Sequence, residues 1–516
     1  MPPNDRGERP DGDEGRGGGE GESSGDGTRE RFLKRRRFLQ ATGAVAATSL
    51  LAGCPSAEDF PSGQPGTSPG ETTEAPGTTT EEPPDGQSLQ EKYPGLRILS
   101  PEPENAEAAE RATYTTMVTP AEEFYIRNHY PTPSIEESEW TVSLTGMVDQ
   151  EVELSIEELK NGFSTETVFH TMQCSGNGRA YFEPQVGGNQ WTFGAVGNAE
   201  WTGTPVSEIL EAYGADTSEG KWLSVMGGDA PEGEDIFTRS IPMSKVMDDC
   251  LLVYQMNGAP IPADHGHPVR FLVPGWFGNN NVKWVDRMHV MDMMVYGEEW
   301  EDGDQRTYTH WQQYSYRIIP AQDEEAQQYR SIDIFDTYEQ MQATDKIQNA
   351  YMYDQLVKSL IGFPGKGATV SPRRDGNVEV VGVAWAGDDG VESVEVSTDG
   401  GDSWNDAEFL QPDVGKYSWR LFRYVWTPEP GEHTLVSRAT DGQGRTQPAT
   451  VSDPEEGLRG ITNNKYPWNQ DGYGNTAYVP HGVNVTVEEL QSGTTGSETT
   501  GNETTQAPTT GNATME

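Results

Sequence analysis

The residues best suited to chemistry lie in one run, Phe169-His170-Thr171-Met172-Gln173-Cys174-Ser175-Gly176-Asn177-Gly178-Arg179. The chain has three cysteines, Cys54, Cys174 and Cys250. Cys174 falls between a strand-like stretch, Thr167-Val168-Phe169, and a segment of Gly and Asn. A thiolate at a strand end, beside backbone that can approach closely, can bring a soft ligand to a metal or a bulky cofactor. Arg179, five residues on, can put a fixed positive charge at the same place. Taken alone the run has a second meaning, a buried free cysteine before a turn, because unpaired cysteine is among the most buried residue types. Other chemistries leave no trace. There is no Gly-x-Gly-x-x-Gly after a strand and no Walker-type loop, which argues against a nucleotide enzyme. There is no His-Glu-x-x-His, no Cys-x-x-Cys pair and no haem-attachment motif.

The run from Gln173 to Arg179 resembles the signature of the sulfite oxidase family of molybdenum enzymes. The likeness continues through Tyr181-Phe182-Glu183-Pro184, Gln190-Trp191 and Gly194 to Gly203, then Met256-Asn257-Gly258, Asp264 to Arg270, Val273 to Trp276 and Val282-Lys283-Trp284. It covers about residues 93–460. The resemblance implies a molybdenum–molybdopterin cofactor, with Cys174 as the metal ligand and no haem in this chain. It implies cofactor contacts at Tyr125, Arg127, Asn128, His129, Asp229, His265, Arg270, Asn281, Val282 and Lys283. Substrate binding falls to Arg127, Arg179, Trp191 and Tyr316, the last in a His310-Trp311-Gln312 to Tyr316 segment similar to the family's. Singly, His265 also reads as a turn histidine, Lys283 as a surface charge and Trp191 as a core aromatic. An anionic cofactor and a small oxyanion both ask for converging Arg, Lys, His and backbone donors, and two arginines buried together imply an anion. The family's further basic residue near the end of the chain does not align; Lys465 and His481 are candidates.

The activity implied is two-electron oxygen-atom transfer, sulfite to sulfate, with electrons passed to an external acceptor such as a cytochrome or a copper protein. A nitrate or sulfoxide reductase on the same scaffold is the alternative. A lipid-anchored oxyanion binder without turnover is a third reading, which the thiol of Cys174 does not favour.

The elements that must position these residues read as an α+β fold. Residues 93–320 carry short strands, such as the alternating Trp140 to Gly146, interleaved with helical stretches at Ile156 to Leu159 and Val206 to Leu210. Residues 321–365, at helical density, have no assignable role. Residues 366–490 hold short alternating strands separated by Asp-Gly and Pro-Gly turns, the pattern of an immunoglobulin-like β-sandwich. Ser397 to Trp404 resembles the dimerisation domain of the family, which implies a homodimer.

Length and charge complete the picture. The 516 residues are too many for one ordinary core. Asp and Glu number 83 against 36 Lys and Arg, a formal charge of -47 spread along the chain. That balance argues against nucleic acid and against a basic membrane-binding face. It suits high salt, where screening shortens to roughly 3 Å at 1 M, and points to a halophilic source. Residues 1–54 combine a polar start with Arg35-Arg36-Arg37-Phe38-Leu39, an apolar stretch and Leu51-Ala52-Gly53-Cys54. This resembles a twin-arginine export signal ending in a lipobox, with Cys54 as the lipid-anchored residue and the only contact with the membrane. Export and attachment to the outer face of the cell membrane follow. Residues 55–92, rich in Thr, Pro and Gly, read as a tether, and residues 491–516 as a disordered tail. Asn484, Asn502 and Asn512 each begin a glycosylation tripeptide.

Overall fold

The computed structural model describes residues 88–295, 311–318, 350–410 and 413–489. The export signal with Cys54, most of the tether, His310, residues 319–349 and the tail with Asn502 and Asn512 lie outside the described residues.

Two five-stranded sheets carry the first domain. In one, the strand order is Val152–Ser155, Thr141–Gly146, Val285–Met291, Trp222–Gly227, Thr238–Pro242, with one parallel pair and the rest antiparallel. Val142 and Leu144 alternate with more exposed neighbours and point into the main core, as a period-two pattern requires. Helix Ile156–Gly162 starts where Ser155 accepts a hydrogen bond from the amide of Glu158 while Glu158 caps Ser155 in return. Its Ile156 and Leu159 fill the same core, as do Val206, Ile209 and Leu210 of helix Val206–Ala212.

The other sheet holds the site. Strand Glu166–Gln173 pairs antiparallel along its whole length with Val196–Pro205, which pairs in turn with Leu251–Met256. A three-stranded sheet, Leu96–Pro101, Glu104–Ala108 and Ile126–Arg127, sets Arg127 opposite Asn105.

The second domain is a sandwich of a four-stranded and a five-stranded sheet. The first sheet runs Lys358–Phe363, Val378–Trp385, Arg420–Trp426, Glu408–Phe409; the second is built around Gly431–Asp441 and Val483–Val487. Its first strand therefore precedes residue 366, the boundary expected from turn signals. The described end of the inter-domain segment is also extended rather than helical: Ala350–Tyr351 pairs with Arg317–Ile318.

The two domains share a core. Tyr114 and Val196 pack with Leu360, Val383, Trp385 and Trp419, and Tyr114 meets Trp419 edge to face at 5.9 Å. Polar contacts run directly to the site strand. Trp385 Nε1 donates to Gln173 Oε1 at 2.9 Å, the Trp419 amide to Thr171 Oγ1 at 2.7 Å, and Gln355 Nε2 to the Thr171 carbonyl at 2.7 Å. The strand that ends at Cys174 is thus held from outside by the sandwich.

Candidate active site

Cys174 directly follows strand Glu166–Gln173, its amide donating to the Ala195 carbonyl at 2.9 Å. Beyond it the chain turns sharply: the Asn177 amide donates back to the Cys174 carbonyl, and Gly178 takes a φ of 95° that other residues rarely adopt. The turn leads into the 3-10 segment Arg179–Tyr181, whose guanidinium charge acts on the thiol. The thiol is buried, which raises its pKa against the lowering effects of Arg127, the Gly176 amide and Arg179. Gly176 is needed for packing: a Cβ there would meet Trp191 at 2.9 Å and the Arg179 guanidinium at 3.2 Å. Trp191 is buried in the apolar cluster that contains Cys174, Met172 and Tyr125. Buried Glu107 fixes that loop, accepting from Thr192 Oγ1 at 2.6 Å and from the Gly194 amide at 3.2 Å.

Arg179 is held by backbone carbonyls: Nε donates to that of Asp471 at 2.8 Å and Nη1 to that of Asn189 at 3.2 Å. Its guanidinium lies over the Tyr473 ring, 4.9 Å from the centroid. Asp471 and Tyr473 belong to the second domain. The same strap ties down the cysteine turn, the Gly474 amide donating to the Ser175 carbonyl at 2.8 Å and Asn475 Nδ2 to that of Gly178 at 3.0 Å. Buried Lys358 ties both to the sandwich, donating to the Asn475 carbonyl at 2.8 Å and that of Asn177 at 3.4 Å.

Tyr473 also carries Tyr316, whose ring is stacked on it at 5.2 Å. The Tyr316 hydroxyl lies 2.9 Å from His129 Nε2, and Arg127 Nη2 lies 3.1 Å from His129 Nδ1. Burial first, then the charges of Arg127, Arg239 and Lys283, holds the His129 pKa well below the ordinary value, so the ring is neutral. Trp311 stacks on His129 at 4.0 Å, and Gln312 exchanges two 2.8 Å hydrogen bonds with the Ser240 backbone.

A second group of donors lies on the Arg127–His129 side. Lys283 Nζ donates to Asn128 Oδ1 and, at 2.7 Å, to the Asp264 carbonyl. Asp264 is anchored by Tyr93 and by Lys92 at 2.6 Å; burial would raise its pKa, but these hydrogen bonds outweigh it and hold the carboxyl at about 2. His265 is buried, Nε2 lies 2.9 Å from the Ala121 carbonyl, and desolvation takes its pKa to about 4. Arg270 donates to the His265 carbonyl at 3.1 Å, while its buried Nε has no partner among the described residues. Tyr125 reaches toward Gly278, where a Cβ would stand 2.3 Å from the hydroxyl. Asp229 feels Lys283, yet burial lifts its pKa to about 6.

Two residues placed in the site by resemblance face elsewhere. Val282 is a core side chain in the main cluster, on an irregular stretch just before strand Val285–Met291. The Asn281 side chain braces its own loop, accepting from the Val273 amide at 2.7 Å and donating to the Phe277 carbonyl at 3.0 Å. Neither C-terminal candidate reaches the pocket. Lys465 forms a surface ion pair with Glu456 at 2.8 Å, and His481 packs edge-on to Tyr181 with its carbonyl accepting from Arg111. Sequence reasoning missed Arg239, Lys358 and Tyr473. The first had a legible signal: an arginine in phase with Ile241 on a strand buried throughout.

Among the described residues, none of Arg127, Arg179, Arg239, Arg270 and Lys283 hydrogen-bonds a carboxylate; their acceptors are mostly backbone carbonyls. So many buried cations call for an anion. Among the described residues, no three of His, Cys, Asp and Glu come together as a metal cluster. One thiol cannot hold a metal alone, so this donor set fits a metal that arrives with an anionic organic ligand, Cys174 adding a soft donor. Such an arrangement defines a molybdopterin-binding oxidoreductase. Residues 129–298 match the family model of an oxidoreductase molybdopterin-binding domain, and residues 349–470 that of a Mo-co oxidoreductase dimerisation domain. Sulfite oxidase of Gallus gallus is 31% identical over 383 residues, covering 72% of this chain and 76% of that protein. Mitochondrial sulfite oxidase of Homo sapiens is 31% identical over 391 residues, covering 73% of this chain and 65% of that longer protein. The crystal structure of the sulfane dehydrogenase SoxCD from Paracoccus pantotrophus shares the fold, with a TM-score of 0.56 at 24% identity over 80% of this chain and 96% of that one. The chain belongs to the sulfite oxidase family of molybdopterin-dependent oxidoreductases.

The buried lysines give a pH dependence. Desolvation, then Arg270, lowers Lys283 from 10.5 to about 7; desolvation, then Arg111, does the same for Lys358. Between about pH 7 and 8 the unfolded chain holds protons that the folded chain lacks, so stability rises with pH across that window. Nearer pH 9 the buried thiols of Cys174 and Cys250, and at higher pH buried tyrosines such as Tyr125, keep protons that the unfolded chain loses and oppose the rise. Thermal melts of cofactor-free protein at constant salt should show Tm climbing from about pH 7 to 8, and Lys283→Met should flatten the climb. A wild-type Tm that falls over this range would contradict the assignment.

Proposed function

We propose that the protein oxidises sulfite to sulfate. Sulfite and water become sulfate, two protons and two electrons, and the electrons pass to an external carrier. The observation that carries the reading is a pair of arginines, Arg127 and Arg179, whose charges act on Cys174, with Arg239 against Tyr316 and, among the described residues, no carboxylate hydrogen-bonded to any of the three. The bound molybdenum centre supplies the redox change and the oxygen transfer, with Cys174 its soft protein ligand. The chain's own residues do the rest. Arg127 and Arg179 attract and orient the oxyanion, Trp191 and Tyr473 wall it from water, and neutral His129 keeps the Tyr316 hydroxyl in place. Lys283, Arg270 and His265 serve the anionic pterin, and Asp264 keeps Lys283 at its post. A neutral sulfoxide would gain little from these cations, which favours the oxidase reading over a sulfoxide reductase.

Metal and pterin analysis of purified protein, followed by sulfite-dependent reduction of ferricyanide, tests this directly. Cys174→Ser abolishes turnover. Arg179→Gln lowers kcat/KM for sulfite by roughly 30-fold to a few thousand-fold, since truncating one partner of a desolvated charge pair costs about 2–5 kcal/mol. Sulfate inhibits the wild type competitively. Intact sulfite kinetics in Arg179→Gln would move the reading to a reductase.

For its place in the cell, the reading is a homodimer joined through the sandwich, exported folded by the twin-arginine route and anchored outside the membrane at Cys54, from a salt-adapted source. The Arg35-Arg36-Arg37-Phe38-Leu39 and Leu51-Ala52-Gly53-Cys54 motifs and the -47 charge support it. One acyl chain binds a membrane only marginally, so anchoring takes two chains or added contacts. Cys54→Ser releases the enzyme from the membrane fraction into the medium; an unchanged membrane fraction would rule out the anchor.

A further inference from the structure

One guanidinium in the pocket belongs to no motif. Arg239 is fully buried in strand Thr238–Pro242. Its Nε donates to the Asn279 carbonyl and its Nη1 to the Thr238 carbonyl, both at 2.7 Å, while the buried Nη2 has no partner among the described residues. The group lies against two rings, 4.2 Å from the centroid of Phe237 and 4.8 Å from that of Tyr316. Burial lowers its pKa only to about 10, so it is a cation at neutral pH.

Its contacts lead both ways through the site. On one side Tyr316 meets His129, and His129 meets Arg127. On the other, Asn279 accepts the Ser175 hydroxyl at 2.5 Å, one residue from Cys174. A guanidinium held between two rings is gripped by cation–π attraction that strengthens when water is excluded. Its charge is not spent on a carboxylate, and in a dry site charge acts across the thickness of a ring.

We propose that Arg239 is a positioning and specificity residue of the oxyanion pocket: it fixes the Tyr316 ring against His129 and adds a third permanent positive charge, behind Arg127 and Arg179, that selects anions over neutral substrates. The proposal rests on the sulfite reading above. It assigns Arg239 no contact with the substrate; the effect is transmitted through the Tyr316 ring and by charge.

The test uses the holoenzyme with Arg239→Met, which keeps bulk and removes charge, and Arg239→Lys, which keeps charge and loses the planar fork. Four quantities are read: molybdenum content, kcat and KM for sulfite, Ki for sulfate, and the rise in Tm that sulfate produces. Arg239→Met should raise KM and sulfate Ki together by about 10-fold or more, with kcat changed less, because a desolvated charge acts on anion affinity. The sulfate-induced rise in Tm should shrink in parallel, and molybdenum content should stay at the wild-type level. Arg239→Lys should recover most of the anion affinity. A purely structural lesion would lower metal content and kcat without moving KM and Ki in step. Arg239→Met with wild-type KM and sulfate Ki, in an enzyme that oxidises sulfite, overturns this proposal alone. Wild-type holoenzyme that neither oxidises sulfite nor is stabilised by sulfate overturns the functional reading as well. If Arg239→Met does not accumulate, Phe237→Leu is read in its place: loosening the grip should raise KM and Ki together about threefold, and unchanged values overturn the proposal.

Discussion

Positive charge buried without a carboxylate is the constraint around which this protein is arranged. Each guanidinium removed from water without a full counter-charge costs several kcal/mol by the usual measure of desolvation. Here the acceptors of Arg179, Arg239 and Arg270 are mostly backbone carbonyls, which satisfy hydrogen bonds while leaving the net charge in place. Elsewhere the chain has carboxylates in excess, 83 against 36 basic residues, so their absence from these partners is a local feature. The positive field is kept for what binds.

Holding such a site together falls to the second domain. The strand carrying Cys174 is gripped by Trp385, Trp419 and Gln355. The strap around Asp471 to Asn475 closes over the other side of the cysteine turn and braces Arg179. Lys358, at the start of the sandwich, fastens the strap to the turn. The sandwich is therefore part of the site's framework as well as a dimerisation module. Rigid support of this kind suits electrostatic stabilisation, which depends on dipoles and charges that need not move during the reaction.

Aromatic rings connect the two sides. Tyr473 contacts both Arg179 and Tyr316, and Tyr316 contacts both Tyr473 and Arg239. Guanidiniums laid against stacked rings pack densely without requiring carboxylates, because ring faces offer negative potential at little desolvation cost. Neutral His129 fits the same scheme: a protonated ring among Arg127, Arg239 and Lys283 would add repulsion.

Much of this was legible in the residues. Cys174 in its Gly- and Asn-rich turn, Arg179 five residues later, the period-two strands and the capped helix at Ser155 all follow from local rules, since turn geometry, strand alternation and capping act over a few positions. Family likeness located Arg127, His129, His265, Arg270 and Lys283, and the donors do gather there. Tertiary structure alone decided the remainder. Val282 and Asn281 sit inside a matching motif, yet one fills the core and the other braces its loop, because a motif does not say which way a side chain turns. Lys465 and His481 had the right chemistry but the fold sent them to the surface and to the inter-domain wall. Tyr473, Lys358 and Arg239 come from segments far apart in the chain and acquire their roles only where the two domains and two sheets meet. Charge and burial are properties of that meeting in space, and sequence spacing carries no measure of it.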